Sequence, residues 1–153
     1  MAIVHIGIGS NLGNREENCK KAIGLLLENG ITVTRLSSMI ETEPWGVTDQ
    51  HEFVNAAVET HTDLGPEELL VTLKKIESDM GRLPSAKWGP RLLDLDILFY
   101  DDLVMKTDDL EIPHPYIKER DFVLKPLAEI APEKVHPVLK KTVSELLQSL
   151  QSS

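Results

Sequence analysis

Residues 4–27, VHIGIGSNLGNREENCKKAIGLLL, decide the class of fold. Apolar side chains alternate with small or polar ones from Val4 to Ile8, which is the period of a half-buried β-strand. From Cys19 to Leu27 the apolar residues instead recur every three to four positions, as on one face of a helix. Asn14 is a suitable N-cap for this helix and Gly30 a suitable end. The stretch therefore predicts a strand followed by a helix.

The next part of the chain predicts two strands and a second helix. Ile31 to Ile40 is rich in β-branched residues, and Phe53 to Thr60 alternates again, so both segments favour strands. Gly65 and Pro66 begin a helix with an apolar stripe, and Gly81 ends it. We expect residues 82–91 to form a loop.

A fourth strand follows this loop. Its residues Leu93, Leu95, Ile97 and Phe99 are predicted to share one face, so that Asp94 and Asp96 point to the other. The order strand, helix, strand, strand, helix, strand predicts an α+β fold of the ferredoxin-like βαββαβ type, an antiparallel sheet with its helices on one face. The other face would be left for ligands. Beyond this unit, a proline-rich C-terminal extension predicts short helices near 122–130 and 142–150, and we expect residues 1–153 to form a single domain.

Charge and composition restrict the classes of function. A net charge of -9 argues against general binding to nucleic acid or to anionic membranes, because both would be repelled. The single Cys19 excludes an internal disulfide, and the first residues lack the features of a secretory signal. The apolar runs are far shorter than the roughly 20 residues that cross a bilayer. We therefore expect a cytoplasmic protein without membrane spans.

Asp94 and Asp96 are the first candidates for chemistry. Two carboxylates at alternate positions of a strand face the same way, and Mg²⁺ is commonly held by one or two carboxylates together with substrate phosphates. The alternative is an ordinary solvated strand face, because a D-x-D pattern is common by chance. Two other acidic pairs, Asp101 with Asp102 and Asp108 with Asp109, are predicted to lie in turns.

Basic residues surround this pair in an otherwise acidic sequence. A phosphate-bearing ligand would explain the concentration, since arginine presents a planar set of donors to phosphate oxygens. A loop at 82–91 could close over a triphosphate and exclude water. Separate surface charges are the alternative explanation. The residues concerned are Arg82, Lys87, Arg91, His114, Lys118 and Arg120.

Two further segments bear on ligand binding. Phe53 and Asn55 share one face of their strand, so a flat ring could stack on Phe53 while the amide of Asn55 binds the ring edge. A core phenylalanine beside a polar strand residue is the competing interpretation. The segment GIGSNLGN lacks the spacing of a nucleotide-binding loop, and we assign its glycines to a strand-to-helix turn.

The motifs together resemble a known family, the 6-hydroxymethyl-7,8-dihydropterin pyrophosphokinases of folate biosynthesis. The resemblance extends over nearly the whole chain and rests on IGSNLGN, ETEPWG, FVNAAV, ELL...IE...GR, WGPRLLDLDIL and IPHP...ERDFVLKPLAEIAP. It implies a ferredoxin-like fold and an ATP-dependent diphosphotransferase. The implied reaction moves pyrophosphate from ATP to the pterin hydroxymethyl group and releases AMP.

The resemblance also implies residue roles. Asp94 and Asp96 would hold two Mg²⁺ ions, and Arg82 and Arg91 would act with them in catalysis. The implied ATP-binding residues are Lys87, Trp88, Arg91, Ile97, His114 and Arg120. The implied pterin-binding residues are Thr42, Trp45, Phe53, Asn55 and Phe122.

The sequence departs from the family pattern near the nucleotide. The loop before Trp88 is one residue shorter than in some members and has Lys87 where a further arginine can occur. Asp109 and Glu111 stand where a basic and a small polar residue are found near the ribose. Contacts at these departures are not carried over.

Two other functions stay open at this point. A metal-dependent phosphohydrolase could use the same two aspartates with water as the nucleophile. A non-catalytic ferredoxin-like binding module would need no chemistry at all, because a fold does not fix a function. We expect small-molecule substrates, no nucleic-acid or membrane partner, and a monomer or a weak homodimer.

Overall fold

The structure, a computed structural model, describes residues 1–10, 14–42, 53–80 and 93–152, apart from the side chains of Thr42 and Phe53. Within these residues the strands are β1 (Ala2–Ser10), β2 (Ile31–Leu36), β3 (Ile40–Thr42), β4 (Phe53–Thr62), β5 (Asp94–Tyr100), β6 (Met105–Lys106) and β7 (Glu111–Ile112). The α-helices are α1 (Arg15–Glu28), α2 (Pro66–Asp79), α3 (Asp121–Ile130) and α4 (Val143–Ser152), with a short 3₁₀ helix at Ile117–Glu119. No helix among these residues is long and apolar enough to cross a membrane.

The helix ends follow the sequence signals. The side chain of Asn14 accepts a hydrogen bond from the backbone N–H of Glu17 at 3.1 Å, which satisfies one free donor at the start of α1. Gly30, just after this helix, has a φ of +83°, a conformation that favours glycine. Before α4 the hydroxyl of Thr142 accepts a hydrogen bond from the backbone N–H of Glu145 at 3.1 Å. The carboxylate of Glu145 in turn accepts one from the backbone N–H of Thr142 at 2.9 Å.

The main sheet has the strand order β2–β4–β1–β5, and β3 pairs with β4 further along the same edge as β2. Every pairing is antiparallel. Because α1 joins β1 to β2 and α2 joins β4 to β5, this is the ferredoxin-like arrangement. The predicted fold class is confirmed.

The second predicted strand divides in two. It was expected to run from Ile31 to Ile40 without a break, but β2 ends at Leu36 and pairing resumes only in β3. At the interruption the hydroxyl of Ser37 accepts a hydrogen bond from the backbone N–H of Ala57 at 2.8 Å. The hydroxyl of Ser37 thus takes the place of a backbone acceptor for Ala57. The content of β-branched residues could not predict this interruption of the strand.

One face of the sheet is covered by α1 and α2. Burying large aliphatic side chains there stabilises the fold by roughly 1.5–3 kcal/mol each. The residues of this first core are almost completely buried and include Val4, Ile6, Ile8, Ala22, Leu26, Leu69, Leu73 and Ile76.

The other face was expected to be left for ligands, and this is correct for only part of it. The C-terminal extension packs α3 and α4 against this face and forms a second core, in which Ala57 and Leu98 are joined by Leu124, Leu127 and Val143. The guanidinium of Arg35 also donates to the carbonyl of Ile130 at 3.0 Å, which ties the end of α3 to β2. In the part of the chain that the structure describes, the end of this face near Asp96, which is exposed, can present side chains to a ligand.

Strand β5 contains a bulge that changes which residues face which core. Ile6 lies opposite Ile97 and His5 lies opposite Phe99, so Leu98 is the extra residue. The predicted face is correct for Leu95 and Ile97, which belong to the first core, but wrong for Phe99. The bulge turns Phe99 into the second core, where its ring packs almost perpendicular to the ring of His5.

Candidate active site

Asp94 and Asp96 lie at the start of β5 with Leu95 between them. Leu95 is buried in the first core, so the two carboxylates point to the second face, where Asp94 is half-buried and Asp96 is exposed. Alternate residues of a strand are separated by about 6.6 Å at Cα. The two carboxylates therefore face the same region, as their spacing in the sequence predicted.

Glycines of β1 form the floor beside these carboxylates. Gly9 lies opposite Asp94 of β5 on one side and Asn55 of β4 on the other. Gly7 lies opposite Asp96 of β5 and Ala57 of β4. Residues directly opposite in a sheet present their side chains to the same face. Because glycine has no side chain, Asn55 and Asp94 flank a flat strip, with their Cα atoms roughly 10 Å apart. Gly7 and Gly9 lie within β1, as the alternation predicted, and not in the strand-to-helix turn to which the glycines of GIGSNLGN were also assigned.

Glu77 of α2 reaches the same segment from the opposite side. Its carboxylate accepts a hydrogen bond at 2.8 Å from the backbone N–H of Leu95, the residue between the two aspartates. Glu77 is only 5% exposed. Its interaction caps the outer edge of β5 and fixes the backbone that carries both carboxylates. The sequence contained a signal for this role, because Glu77 is a charged residue four positions after Leu73 and so lies on the apolar face of α2.

Replacing Glu77 by Ala should destabilise the fold by about 1–3 kcal/mol, because the N–H of Leu95 would be left buried without its acceptor. The kcat should also fall, since the backbone between Asp94 and Asp96 loses its restraint. Glu77→Gln keeps an acceptor oxygen, and we expect it to recover most of the stability. Thermal unfolding and steady-state rates measure both effects. Equal stability of the Ala and Gln variants would contradict this role.

The IPHP turn lies next to β5. The backbone N–H of His114 donates to the carbonyl of Leu98, the bulge residue, at 3.0 Å. Burial lowers the pKa of His114, the carboxylate of Asp96 opposes this effect, and the guanidinium of Arg120 adds to it. His114 is therefore neutral at pH 7. The structure places it within electrostatic range of both Asp96 and Arg120.

The neutral imidazole of His114 has a defined tautomer. Its Nδ1 accepts a hydrogen bond from the backbone N–H of Tyr116 at 3.2 Å. The proton must then be on Nε2, so His114 offers an N–H donor without carrying a charge. Such a donor suits a phosphate oxygen.

Arg120 immediately precedes α3 and contacts two aromatic rings. Its guanidinium carbon lies 4.8 Å from the centroid of the Tyr116 ring and 5.6 Å from that of Phe122. Two predicted ligand residues, Arg120 for ATP and Phe122 for the pterin, are thus in contact with each other. Tyr116 had no predicted role, because its contact with Arg120 depends on the 3₁₀ turn between them.

Other predicted site residues are placed differently or lie outside the described residues. The side chain of Ile97 is buried in the first core, on the opposite face from the two carboxylates. The backbones of Thr42 and Phe53 lie opposite each other in β3 and β4, but their side chains are not described. Five predicted residues lie outside the described ranges: Trp45, Arg82, Lys87, Trp88 and Arg91.

The donor set at Asp94 and Asp96 fits a divalent cation that is shared with a substrate. Across the described ranges, no group of three or more His, Cys, Asp or Glu side chains could hold a metal ion. Mg²⁺ does not need such a group, since it keeps several waters and commonly binds one or two carboxylates plus phosphate oxygens. Two carboxylates on one face of β5, with Asp96 exposed, suit such a shared site.

The family model for 7,8-dihydro-6-hydroxymethylpterin-pyrophosphokinase (HPPK) matches residues 5–132. The chain belongs to this family. The resemblance inferred from its motifs is confirmed. HPPK members are diphosphotransferases, so neither a phosphohydrolase nor a non-catalytic module is favoured.

Individual HPPK relatives agree over most of the chain. A 2-amino-4-hydroxy-6-hydroxymethyldihydropteridine pyrophosphokinase of Aquifex aeolicus is 42% identical over 145 residues, which cover 95% of this chain and 90% of the relative. The protein of the same name from Bacillus subtilis is 47% identical, covering 84% of this chain and 77% of the relative. A mitochondrial folate synthesis bifunctional protein of Pisum sativum is 50% identical over 83% of this chain, which spans only 25% of that protein.

A solved structure supports the same fold. The crystal structure of wild-type Plasmodium falciparum HPPK-DHPS matches with a TM-score of 0.79 and 17% sequence identity. The match covers 99% of this chain and 45% of that chain. At this identity the likeness establishes the HPPK fold alone.

Proposed function

We infer that this HPPK chain transfers pyrophosphate from ATP to the hydroxymethyl group of 6-hydroxymethyl-7,8-dihydropterin, a step of folate biosynthesis. The hydroxymethyl oxygen forms a bond to the β-phosphorus of ATP. The bond between that phosphorus and the oxygen bridging to the α-phosphorus breaks, AMP leaves, and the hydroxyl proton is lost to solvent. The observation that carries this inference is the arrangement of Asp94, Asp96 and Asn55 around the glycine strip, with His114 and Arg120 nearby.

The phosphate side of the reaction is assigned to the end of the sheet near β5. Asp94 and Asp96 would hold Mg²⁺, which when bound neutralises phosphate charge and favours ionisation of the attacking hydroxyl. His114 donates from Nε2 to a phosphate oxygen, and Arg120 supplies positive charge. We propose that Arg82, Lys87, Trp88 and Arg91 complete the ATP site, with Arg82 and Arg91 catalytic. Because the side chain of Ile97 is buried in the first core, its proposed place near adenine would be filled by its backbone.

The pterin side is assigned to β4 and the start of α3. The amide of Asn55 can both donate and accept, which matches the edge of a pterin ring. Phe122 offers an aromatic face at the start of α3, and we propose that Phe53 stacks on the opposite face of the ring. Thr42 and Trp45 would contribute further contacts at this end. Alignment of the two substrates can lower the barrier by about 7–11 kcal/mol.

The function is tested by a product assay with the purified chain, Mg²⁺, ATP and 6-hydroxymethyl-7,8-dihydropterin. We expect AMP and the pterin pyrophosphate in equal amounts, and no AMP when the pterin is omitted. AMP or ADP formed at the same rate without the pterin would identify a hydrolase instead. A chain that binds ligands without turnover would be a binding module. Replacing Mg²⁺ with EDTA should stop the reaction if the metal assignment is correct.

We further propose that residues 1–153 act as a single pyrophosphokinase domain in the cytoplasm, as a monomer or a weak homodimer. Two separate cores joined through one sheet support a single folding unit. Sedimentation equilibrium of the chain over a hundredfold concentration range would measure its association.

A further inference from the structure

Tyr116 contacts both His114 and Arg120, the two described residues that are assigned to the ATP phosphates. Its backbone N–H holds Nδ1 of His114, and its ring lies 4.8 Å from the guanidinium carbon of Arg120. The residue is 48% exposed, so the core does not require a large aromatic side chain there. A ring that contributes little to the core but contacts a functional arginine is a candidate for a positioning role.

The backbone of Arg120 is already fixed. Its carbonyl accepts hydrogen bonds from the backbone N–H groups of Val123 and Leu124 at 3.1 and 3.0 Å, at the start of α3. The arginine side chain beyond this anchor has several rotatable bonds and loses conformational entropy when a ligand orders it. Contacts that order it beforehand reduce that loss and so increase affinity.

We propose that Tyr116 is a positioning residue that orients Arg120 for the ATP phosphates, with Phe122 as the second aromatic contact. This inference rests on the proposed function. An arginine over an aromatic face is attracted by the negative charge density of the ring, while its N–H groups at the edge stay available to phosphate. Because Phe122 is also assigned to the pterin, the same guanidinium lies between the nucleotide and pterin sites.

The test separates the ring from the rest of the residue. Tyr116→Phe keeps the aromatic face, Tyr116→Leu removes it, and both keep the backbone N–H that binds His114. The probe is α,β-methylene-ATP with Mg²⁺, which cannot react because the bridge that breaks in the reaction is replaced. Calorimetric titration should give an unchanged Kd for Tyr116→Phe and a Kd raised about 2- to 5-fold for Tyr116→Leu, the factor that a cation–π contact at an exposed site represents.

A double-mutant cycle shows whether Tyr116 acts through Arg120. In an Arg120→Ala background, Tyr116→Leu should leave the Kd unchanged, because the group that the ring orients is gone. Steady-state kinetics should show a matching rise in KM for ATP with KM for the pterin changed less than twofold. Leu27→Ala, at an exposed apolar residue of α1 on the opposite side of the sheet, serves as the matched control and should alter neither constant.

The outcomes are distinguishable. An unchanged Kd in Tyr116→Leu, or the same loss with and without Arg120, would overturn the positioning role while leaving the proposed function intact. Failure of the wild-type chain to bind the nucleotide analogue would overturn both. Thermal unfolding of each variant checks that the fold is retained.

Discussion

Asp94→Asn and Asp96→Asn are each expected to lower kcat by at least about a hundred- to a thousandfold, the loss typical when charge stabilisation at a reacting centre is removed. Both substitutions keep the size of the side chain and remove the negative charge that would hold Mg²⁺. Because Asp96 is exposed, Asp96→Asn should leave the melting temperature the same or raise it slightly as repulsion with Asp94 is relieved. Pterin-dependent AMP formation and thermal unfolding measure the two effects.

The control for these variants is a carboxylate just beyond the far end of the same sheet. Asp63 follows the far end of β4, where its side chain is 83% exposed beside the N-terminal amino group. Asp63→Asn should leave kcat within twofold of the wild-type value. Near-normal rates in Asp94→Asn or Asp96→Asn would show that the carboxylates do not hold the metal.

Phe99→Ala should lower the free energy of unfolding by about 3–5 kcal/mol, the range for truncating a buried aromatic side chain. Phe99 is 0% exposed, and its ring makes edge contacts with His5 at 5.9 Å and with His136 at 5.6 Å between centroids. Truncation would leave a cavity beneath α3 and α4. Urea unfolding measures the loss, and Leu27→Ala, at a residue 63% exposed on α1, should cost well under 1 kcal/mol.

A double-mutant cycle tests which face Phe99 occupies. If the bulge turns the ring to the second core, Phe99→Ala and His5→Ala should be coupled by about 0.5–1.5 kcal/mol. Phe99→Ala and Leu73→Ala, in different cores, should be additive. Coupling to Leu73 and additivity with His5 would mean that β5 has no bulge and that the regular alternation was correct.

Short-range patterns predicted much of this structure. Alternation identified β1 and β4, helical periodicity identified α1 and α2, and the cap at Asn14 marked where a helix begins. These features depend on neighbours within a few residues, so the chain carries them locally. The outward direction of Asp94 and Asp96 follows from the same rule, because side chains of a strand alternate between its faces.

The motifs identified the family, but they did not show how the site is supported. Glu77 was part of a recognised motif without a role, and its contact with Leu95 joins residues 18 positions apart. The place of Gly7 and Gly9 beside the two carboxylates was not predicted, because nothing in their own segment shows which residues lie on the neighbouring strand. Tyr116 was overlooked, since its ring meets Arg120 only after the 3₁₀ turn forms.

By itself, the sequence of this protein determined the order of its elements, its ferredoxin-like class, its family and the direction of its two aspartates. Only the tertiary structure decided that α3 and α4 cover part of the second face, that β5 is bulged at Leu98 and that Phe99 lies in the second core. The reason is physical. Local spacing sets backbone conformation and side-chain direction, whereas packing between distant segments decides which of the two faces is buried and where a strand must gain a residue.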